Sequence, residues 1–229
     1  MNLAAIAESL PTYGAGLLTT LALLALALVF GALGALPLAV LRASDRPWLA
    51  RPVALYTWLF RGTPLLVQLF LLYYGLAQFD AVRASVLWPW LSSAWFCAVL
   101  AFALNTCAYT TEIVAGAIRA TPHGEVEAAR AYGMRGVTLL RRIVLPSALR
   151  RSLPAYSNEA IMMLHGTSLA SIVTLLDLTG AAREMNSRTY LPFEAFVTAA
   201  LAYLALTFVL VALFRRAEAR WLDYLQPRR

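Results

Sequence analysis

Three carboxylates stand inside the long apolar stretches of this sequence. Glu112 lies near the end of one stretch, Glu159 near the start of the next, and Asp177 at the far end of that next stretch. A charge in hydrocarbon is costly unless a partner compensates it, so each acid is a candidate for a solute or ion path. Arg61 is the only basic residue evident within these stretches. An excess of acids predicts a path that suits a cationic solute.

Each acid also has a structural interpretation. Glu112 and Arg119 are seven residues apart on one helical face, a spacing that allows an ion pair. Glu159 is expected in the first turn of its helix, where the helix dipole alone would stabilise a carboxylate. Asp177 is expected at the outer boundary of the membrane, in contact with solvent. A role in a solute path and a structural role are therefore both open for each of the three residues.

Uncharged polar groups add to this set. Asn105 lies deep in an apolar stretch and must find a hydrogen-bond partner, either on another helix or on the carboxylate or amine of a solute. Gly62, Thr63 and Pro64 interrupt the hydrogen bonds of a helix, which predicts a kink and suggests a gate as a hypothesis. His165 is either a pH-sensitive group or an interior imidazole with satisfied hydrogen bonds.

Composition identifies the environment in which these residues lie. The chain has 229 residues, of which 61% are hydrophobic and 14% charged, and its mean hydropathy is +0.67. A soluble domain of this length could not bury so much apolar surface, so we expect an integral membrane protein. Cys97 and Cys107 are about 15 Å apart along a helix, too far for a disulfide, and no metal-ligand spacing is present.

Charge-free stretches predict an all-α membrane fold with five transmembrane helices. The chain forms a single domain, 1–229, with one cytoplasmic loop at 119–155. Five spans do not divide into two equal inverted halves, which argues against a self-contained secondary transporter. One copy also has few helices to enclose a path, so a second membrane subunit is expected. The predicted spans are 13–41, 52–79, 84–111, 156–176 and 195–214.

Arginine placement predicts the orientation. All 19 basic residues are arginine, and fifteen of them fall on one side of the predicted spans against three on the other. Because cytoplasmic loops carry the excess of basic residues, the N-terminus is expected outside and the C-terminus in the cytoplasm. The fifteen are Arg42, Arg46, Arg51, Arg119, Arg130, Arg135, Arg141, Arg142, Arg150, Arg151, Arg215, Arg216, Arg220, Arg228 and Arg229, and the three are Arg83, Arg183 and Arg188.

The loop between the third and fourth spans reads as a helical hairpin. Thr121 and Pro122 are expected to cap and begin its first helix, and Gly133 to end that helix in a left-handed conformation. Pro146 is expected to stop a second short helix. Apolar residues between arginines suit a soluble partner that grips a helix in a groove, or a loop lying on the lipid headgroups. The apolar face comprises Leu139, Leu140, Ile143 and Val144.

This hairpin resembles the "EAA" signature of the membrane subunits of ABC importers, with its whole spacing intact. Other stretches, FRGTPLLVQL at 60–69 and FRRAEARWL at 214–222 among them, resemble permeases of the polar amino acid branch. The long stretches 104–133 and 145–170 are similar to the M-type permeases of histidine/lysine/arginine/ornithine importers. The residues that carry the signature are Glu127, Ala128, Ala129, Gly133, Ile143, Leu145 and Pro146.

The resemblance implies a type I ABC importer permease whose hairpin is the coupling helix that docks into an ATPase. It implies a complex in the bacterial inner membrane, made of two permeases, two ATP-binding cassette ATPases and a periplasmic amino-acid-binding protein. The M-type resemblance favours a related, non-identical second permease. The sequence has neither a GxxxxGK[ST] phosphate loop nor any lysine, so no cofactor is expected on this chain and the partner would use ATP and Mg²⁺.

The amino acid permeases of this family also resemble the chain at four polar positions, which predicts a solute-binding cluster. The function expected is transport of basic or polar amino acids (histidine, arginine, lysine or ornithine) without enzymatic activity of its own. The alternatives are an ATPase-independent channel or secondary transporter, and a membrane scaffold that transports nothing. The candidate solute-binding residues are Asn105, Glu112, Asn158 and Glu159, together with Thr63.

Overall fold

The computed structural model describes residues 2–222, and in this range every regular element is a helix. Arg228 and Arg229, counted above for orientation, lie outside the described residues. Three helices are long and apolar enough to cross a membrane without interruption: α1 (Leu3–Arg42), α6 (Ala94–Arg119) and α11 (Pro192–Trp221). The shorter helices are α2 (Pro47–Gly62), α3 (Leu65–Phe70), α4 (Asp80–Arg83), α5 (Trp88–Leu91), α7 (His123–Ala131), α8 (Gly136–Leu139), α9 (Leu145–Gly166) and α10 (Leu178–Thr189).

Two bent pairs complete the membrane part. Helix α2 and the segment Leu65–Gln78 meet at an angle of 101°, and the segment Gly136–Val173 meets α10 at 46°. If each pair counts as one span, the described chain has up to five, which agrees with the five predicted from hydropathy. The kink predicted at Gly62, Thr63 and Pro64 is present as a full break between two helices.

The ends of the predicted spans are wrong in several places. Helix α1 begins ten residues earlier than expected, at Leu3, where the Asn2 side chain accepts a hydrogen bond from the Ala5 amide. The third span begins at Ala94, capped by Ser93, and continues to Arg119. Apolar composition alone could not place these ends, because a cap residue, rather than hydropathy, determines where a helix starts.

The fourth span differs most from its prediction. Pro146 was expected to stop a helix, but it lies in the first turn of α9, directly after a π-helical segment, Leu140–Val144. A π turn changes the hydrogen-bond spacing, so the absent proline N–H and the bulk of the proline ring are accommodated. Glu159 is therefore in the middle of a long helix, and the prediction that it occupies a first turn is wrong.

Close packing of small residues joins α1 to α6. A Cβ atom on Gly31 would collide with the Thr106 methyl group, and one on Gly34 would lie 3.0 Å from the Cys107 sulfur. Ala35 is also fully buried. In lipid, helices associate through such short backbone approaches rather than through the hydrophobic effect. The predicted disulfide-free state of the two cysteines agrees with their burial as free thiols.

The three long helices run in the same direction. At one end, the Tyr13 hydroxyl of α1 donates to the Ala195 carbonyl of α11 at 2.7 Å. At the other end, Arg119 of α6 donates to the Arg42 carbonyl of α1 at 3.4 Å. The arginine-rich ends of α1 and α6 consequently meet at one end of the bundle, as the arginine distribution predicts.

The break before α10 is built on a buried carboxylate. Asp177 has no solvent-exposed surface, and its oxygens accept hydrogen bonds from the Thr179 amide at 3.3 Å and the Gly180 amide at 2.9 Å. The Tyr203 hydroxyl of α11 donates to it at 3.0 Å. The prediction of a solvated residue at the outer boundary is therefore wrong, because Asp177 is the N-cap of an interior helix.

Helix α1 closes over this same break. The Thr20 hydroxyl accepts a hydrogen bond from the Leu178 amide at 3.2 Å. Gly16 lies so close that an added Cβ would stand 2.7 Å from the Asp177 carbonyl oxygen, whereas a Cβ on Gly14 would meet nothing within 4 Å. Helix α1 therefore has no room for a side chain at Gly16, whereas it has room for one at Gly14.

This difference gives a test on one helix. Gly16→Ala should lower the stability of the chain by roughly 1–3 kcal/mol, because the new methyl group collides with backbone that cannot move aside cheaply. Gly14→Ala, the matched control, should leave stability unchanged or raise it by about 0.4–1 kcal/mol through the unfolded chain. Thermal unfolding of both variants in detergent measures this, and equal midpoints would contradict the close contact.

Candidate functional site

A cavity of about 850 Å³ opens between the break after α2, the middle of α6 and the middle of α9. This volume lies within the range of roughly 300–1,000 Å³ that is typical of small-molecule sites. Four of the five predicted solute-binding residues line it: Thr63, Asn105, Asn158 and Glu159. The structure thus brings together residues from three separate parts of the chain.

Glu159 is the buried acid of this cavity. Its residue surface is only 7% exposed, and among residues 2–222 no basic nitrogen lies within 4 Å of its oxygens. The Arg61 guanidinium is within electrostatic reach but makes no direct ion pair with it. A buried carboxylate with no ion-pair partner is costly to the fold, so the cavity offers a cationic ligand a strong point of attachment.

A pair of amides holds the helix break in place. The Asn105 amide donates to the Gln68 side-chain oxygen at 3.1 Å and to the Phe60 carbonyl at 3.3 Å. The Gln68 amide in turn donates to the Phe60 carbonyl at 2.7 Å and to the Thr63 carbonyl at 3.0 Å. Asn105 therefore has the interhelical partner that its position required. Sequence reasoning missed Gln68, although the same signal, an amide in an apolar stretch, marks it.

Glu112 lies outside this cavity, where it forms the predicted ion pair with Arg119 and a closer one with Arg42. Its carboxylate accepts hydrogen bonds from Arg42 of α1 and from the Thr57 hydroxyl of α2, both at 2.7 Å, and the ion pair with Arg119 is longer, at 3.9 Å. Glu112 thus ties α1, α2 and α6 together. The pair with Arg42 was not predicted, because 70 residues separate Arg42 from Glu112.

The two remaining polar candidates occupy different places. His165 is exposed on the cavity wall, and its Nε2 lies 3.2 Å from the Thr207 hydroxyl of α11. Asp177 is absent from the cavity lining and serves the break described above. His123 is exposed in the hairpin, as predicted.

The hairpin has the predicted turn but a different start. Thr121 does not cap α7; its hydroxyl donates to the Ala117 carbonyl of the preceding helix at 3.3 Å, and α7 begins at His123. Gly133 has a φ of +80°, and the next residue's amide bonds back to the Ala129 carbonyl at 3.0 Å. This is the left-handed helix end that the sequence predicted.

An ion pair and a hydroxyl link the hairpin to the long fourth helix. The Glu125 carboxylate of α7 accepts hydrogen bonds from the Ser147 hydroxyl at 2.8 Å and from Arg151 at 3.0 Å, both on α9. Arg151 also donates to the Ser147 hydroxyl at 3.3 Å. Three side chains thus form a closed set, which fixes the angle between α7 and α9.

A shallow cavity of about 480 Å³ lies between α7 and the start of α9. The hairpin carries large exposed apolar groups: Tyr132, which lines this cavity, is 87% exposed, and Val137 of α8 is 68% exposed. Exposed apolar side chains next to a groove favour a protein partner. Four of the residues that carry the signature line this cavity: Ala128, Ala129, Ile143 and Pro146.

The chain is similar to known transport proteins over most of its length. The sequence profile of the family described as "Binding-protein-dependent transport system inner membrane component" matches residues 35–223. The chain is 52% identical over 213 residues to the histidine/lysine/arginine/ornithine transport system permease protein HisM of Escherichia coli (strain K12), covering 93% of this chain and 90% of HisM. It is 46% identical over 216 residues to the octopine transport system permease protein OccM of Rhizobium meliloti, covering 94% and 88%.

Solved structures have the same arrangement of helices. A chain from a crystal structure of an amino acid ABC transporter with histidines superposes with a TM-score of 0.85 at 34% identity, covering 96% of this chain and 99% of that one. A chain of the inward-facing MetNI methionine ABC transporter gives a TM-score of 0.74 at 19% identity, covering 90% and 94%. The second likeness supports the fold alone.

The turn at Gly133 gives a test of the hairpin. Gly133→Val should abolish ATP-driven solute uptake while the chain still inserts, because a β-branched residue is strained at positive φ by about 1–2 kcal/mol or more and would reshape the turn. Gly124→Val is the matched control, since Gly124 is helical and an added Cβ there meets nothing within 4 Å. Uptake into membrane vesicles measures both, and normal uptake by Gly133→Val would contradict the role of the hairpin.

Proposed function

Because this chain belongs to the family of binding-protein-dependent transport system inner membrane components, we propose that it is the permease that forms the path for basic amino acids in an ABC importer. The relatives named above are permeases of a histidine/lysine/arginine/ornithine system and of an octopine system. Hydrolysis of ATP belongs to separate subunits in this class of transporter, and the chain is a transport component rather than an enzyme.

The observation that carries the choice of solute is the environment of Glu159. It is a buried carboxylate with no ion-pair partner among the described residues, and it lines a cavity large enough for an amino acid. A cationic side chain placed there would replace the missing counter-charge. Thr63, Asn105 and Asn158 complete the polar lining, and Glu112 is assigned to the ion pair with Arg42 instead.

The proposed orientation is supported by the arrangement of the charged ends, and the proposed subunits by the resemblance to importer permeases. The N-terminus is periplasmic and the C-terminus cytoplasmic, since the arginine-rich ends of α1 and α6 meet at one end. The hairpin then lies in the cytoplasm, where α7 docks into one of two ATP-binding cassette ATPases. A related second permease and a periplasmic amino-acid-binding protein complete the transporter. ATP and Mg²⁺ are bound by the ATPases, and this chain holds no cofactor.

Dependence on the ATPase tests the class of transporter. Proteoliposomes that contain this chain, its second permease and the ATPases should accumulate L-arginine only with ATP and the binding protein present. Omitting the ATPases should reduce uptake to background, because movement of the hairpin is the proposed source of work. Uptake that persists without ATPase would favour a channel or secondary transporter, and no flux in either preparation would favour a scaffold.

Charge recognition by Glu159 is tested with two solutes of similar shape. Glu159→Gln should slow uptake of cationic L-arginine by at least about tenfold, because a buried charge pair is lost, and slow neutral L-citrulline much less. Glu184→Gln, a half-exposed acid on α10, is the control and should change neither rate. Rates for each solute are taken relative to the unaltered transporter. Equal losses for the two solutes would exclude a charge-reading role for Glu159.

A further inference from the structure

We propose that Arg61 binds the α-carboxylate of the solute, while Glu159, which lines the same cavity, binds the cationic side chain. This inference rests on the function proposed above and assigns a second recognition residue to that site. Arg61 is the next-to-last residue of α2, directly before the helix break, and lines the same 850 Å³ cavity as Glu159.

The Arg61 side chain lies over an aromatic ring. Its guanidinium carbon lies 5.2 Å from the centre of the Tyr109 ring, on α6. The attraction of a guanidinium to the face of a ring does not use up its N–H donors as hydrogen bonds to acceptors do. These donors form the fork that matches a carboxylate with two parallel hydrogen bonds. Tyr109 lines the cavity as well, so both members of this contact are part of the wall.

Arg61 has no carboxylate of its own. Among residues 2–222, no acidic oxygen lies within 4 Å of its nitrogens. The nearby acids, Glu112 and Glu159, are within electrostatic reach only, and Glu112 is already bound by Arg42 and Thr57. A guanidinium in a partly enclosed site with no paired anion is available to a ligand.

The charges of a basic amino acid match this arrangement. Such a solute carries a carboxylate at one end and a cationic side chain at the other, and each needs an opposite charge once water is removed. Glu159 can satisfy only the cation. The other basic side chain on the wall, His165, faces Thr207 at 3.2 Å. Arg61 is thus the group on the cavity wall that is suited to a carboxylate, and the pair Arg61 and Glu159 would fix the direction in which the solute lies.

The test uses two ligands that differ only in the carboxylate. L-Arginine has the α-carboxylate, and agmatine is the same molecule without it. Binding of each is titrated by saturation-transfer NMR to the complete permease–ATPase complex in lipid nanodiscs, without the soluble binding protein. Arg61→Gln should weaken binding of L-arginine about tenfold, as expected for loss of a charge-assisted pair, and leave agmatine within about twofold. Glu159→Gln should weaken both ligands.

Controls separate charge recognition from structural damage. Arg51→Gln lies on the same helix, α2, away from the cavity lining, and should bind both ligands as the unaltered complex does. Arg61→Lys keeps the charge without the fork and should lose affinity for L-arginine only in part. If Arg61→Gln does not assemble, as judged by gel filtration, Arg61→Lys carries the test alone.

The outcomes are distinguishable. Unchanged L-arginine binding in Arg61→Gln overturns this inference and leaves the proposed function intact. Equal weakening of L-arginine and agmatine also overturns it, because Arg61 would then only shape the cavity. If the unaltered complex binds neither ligand, the solute cavity itself is wrong and the proposed function fails with it.

Discussion

A backbone that leaves helical geometry inside a membrane must still hydrogen-bond every amide and carbonyl that it frees, and this constraint organises the whole chain. At the break after α2, the side chains of Gln68 and Asn105 bind the freed Phe60 carbonyl. At the break before α10, Asp177 and Thr20 bind the freed amides. Asn105 also lines the solute cavity, so one side chain both satisfies the broken backbone and forms part of the cavity wall.

The three acids within the apolar stretches have three different environments, and only the structure distinguishes them. Glu112 is paired with an arginine, Asp177 caps a helix, and Glu159 is buried with no ion-pair partner among the described residues. A carboxylate that is already bonded stabilises the bundle, whereas one that is buried and unpaired offers its charge to a ligand. The number of acids in a sequence is therefore a poor indication of solute recognition. Whether each acid already has a bonding partner within the fold is a better one.

Sequence reasoning succeeded where a local rule determined the structure. The left-handed end at Gly133 follows from the need for a residue without a Cβ, and the break at Pro64 follows from its missing amide. It failed where distant residues decide the outcome: Arg42 as the partner of Glu112 and Tyr203 as the partner of Asp177 come from other helices. The prediction at Pro146 was wrong because a π turn, which hydropathy does not reveal, lets the helix continue past this proline.

The helical segment Gly136–Val173 begins at the hairpin and continues, through its π turn and α9, to the cavity. Ile143 lies at the groove beside α7, and Glu159, sixteen positions later and about 24 Å further along the axis, faces the solute cavity. In the proposed importer, this one helical segment would then couple the hairpin to the solute cavity in both directions. Thermodynamic reciprocity requires that, if the nucleotide bound below alters the affinity for solute above, the solute alters the affinity for nucleotide by the same factor. An occupied cavity would therefore change how tightly the ATPases hold nucleotide, with no contact between the two ligands.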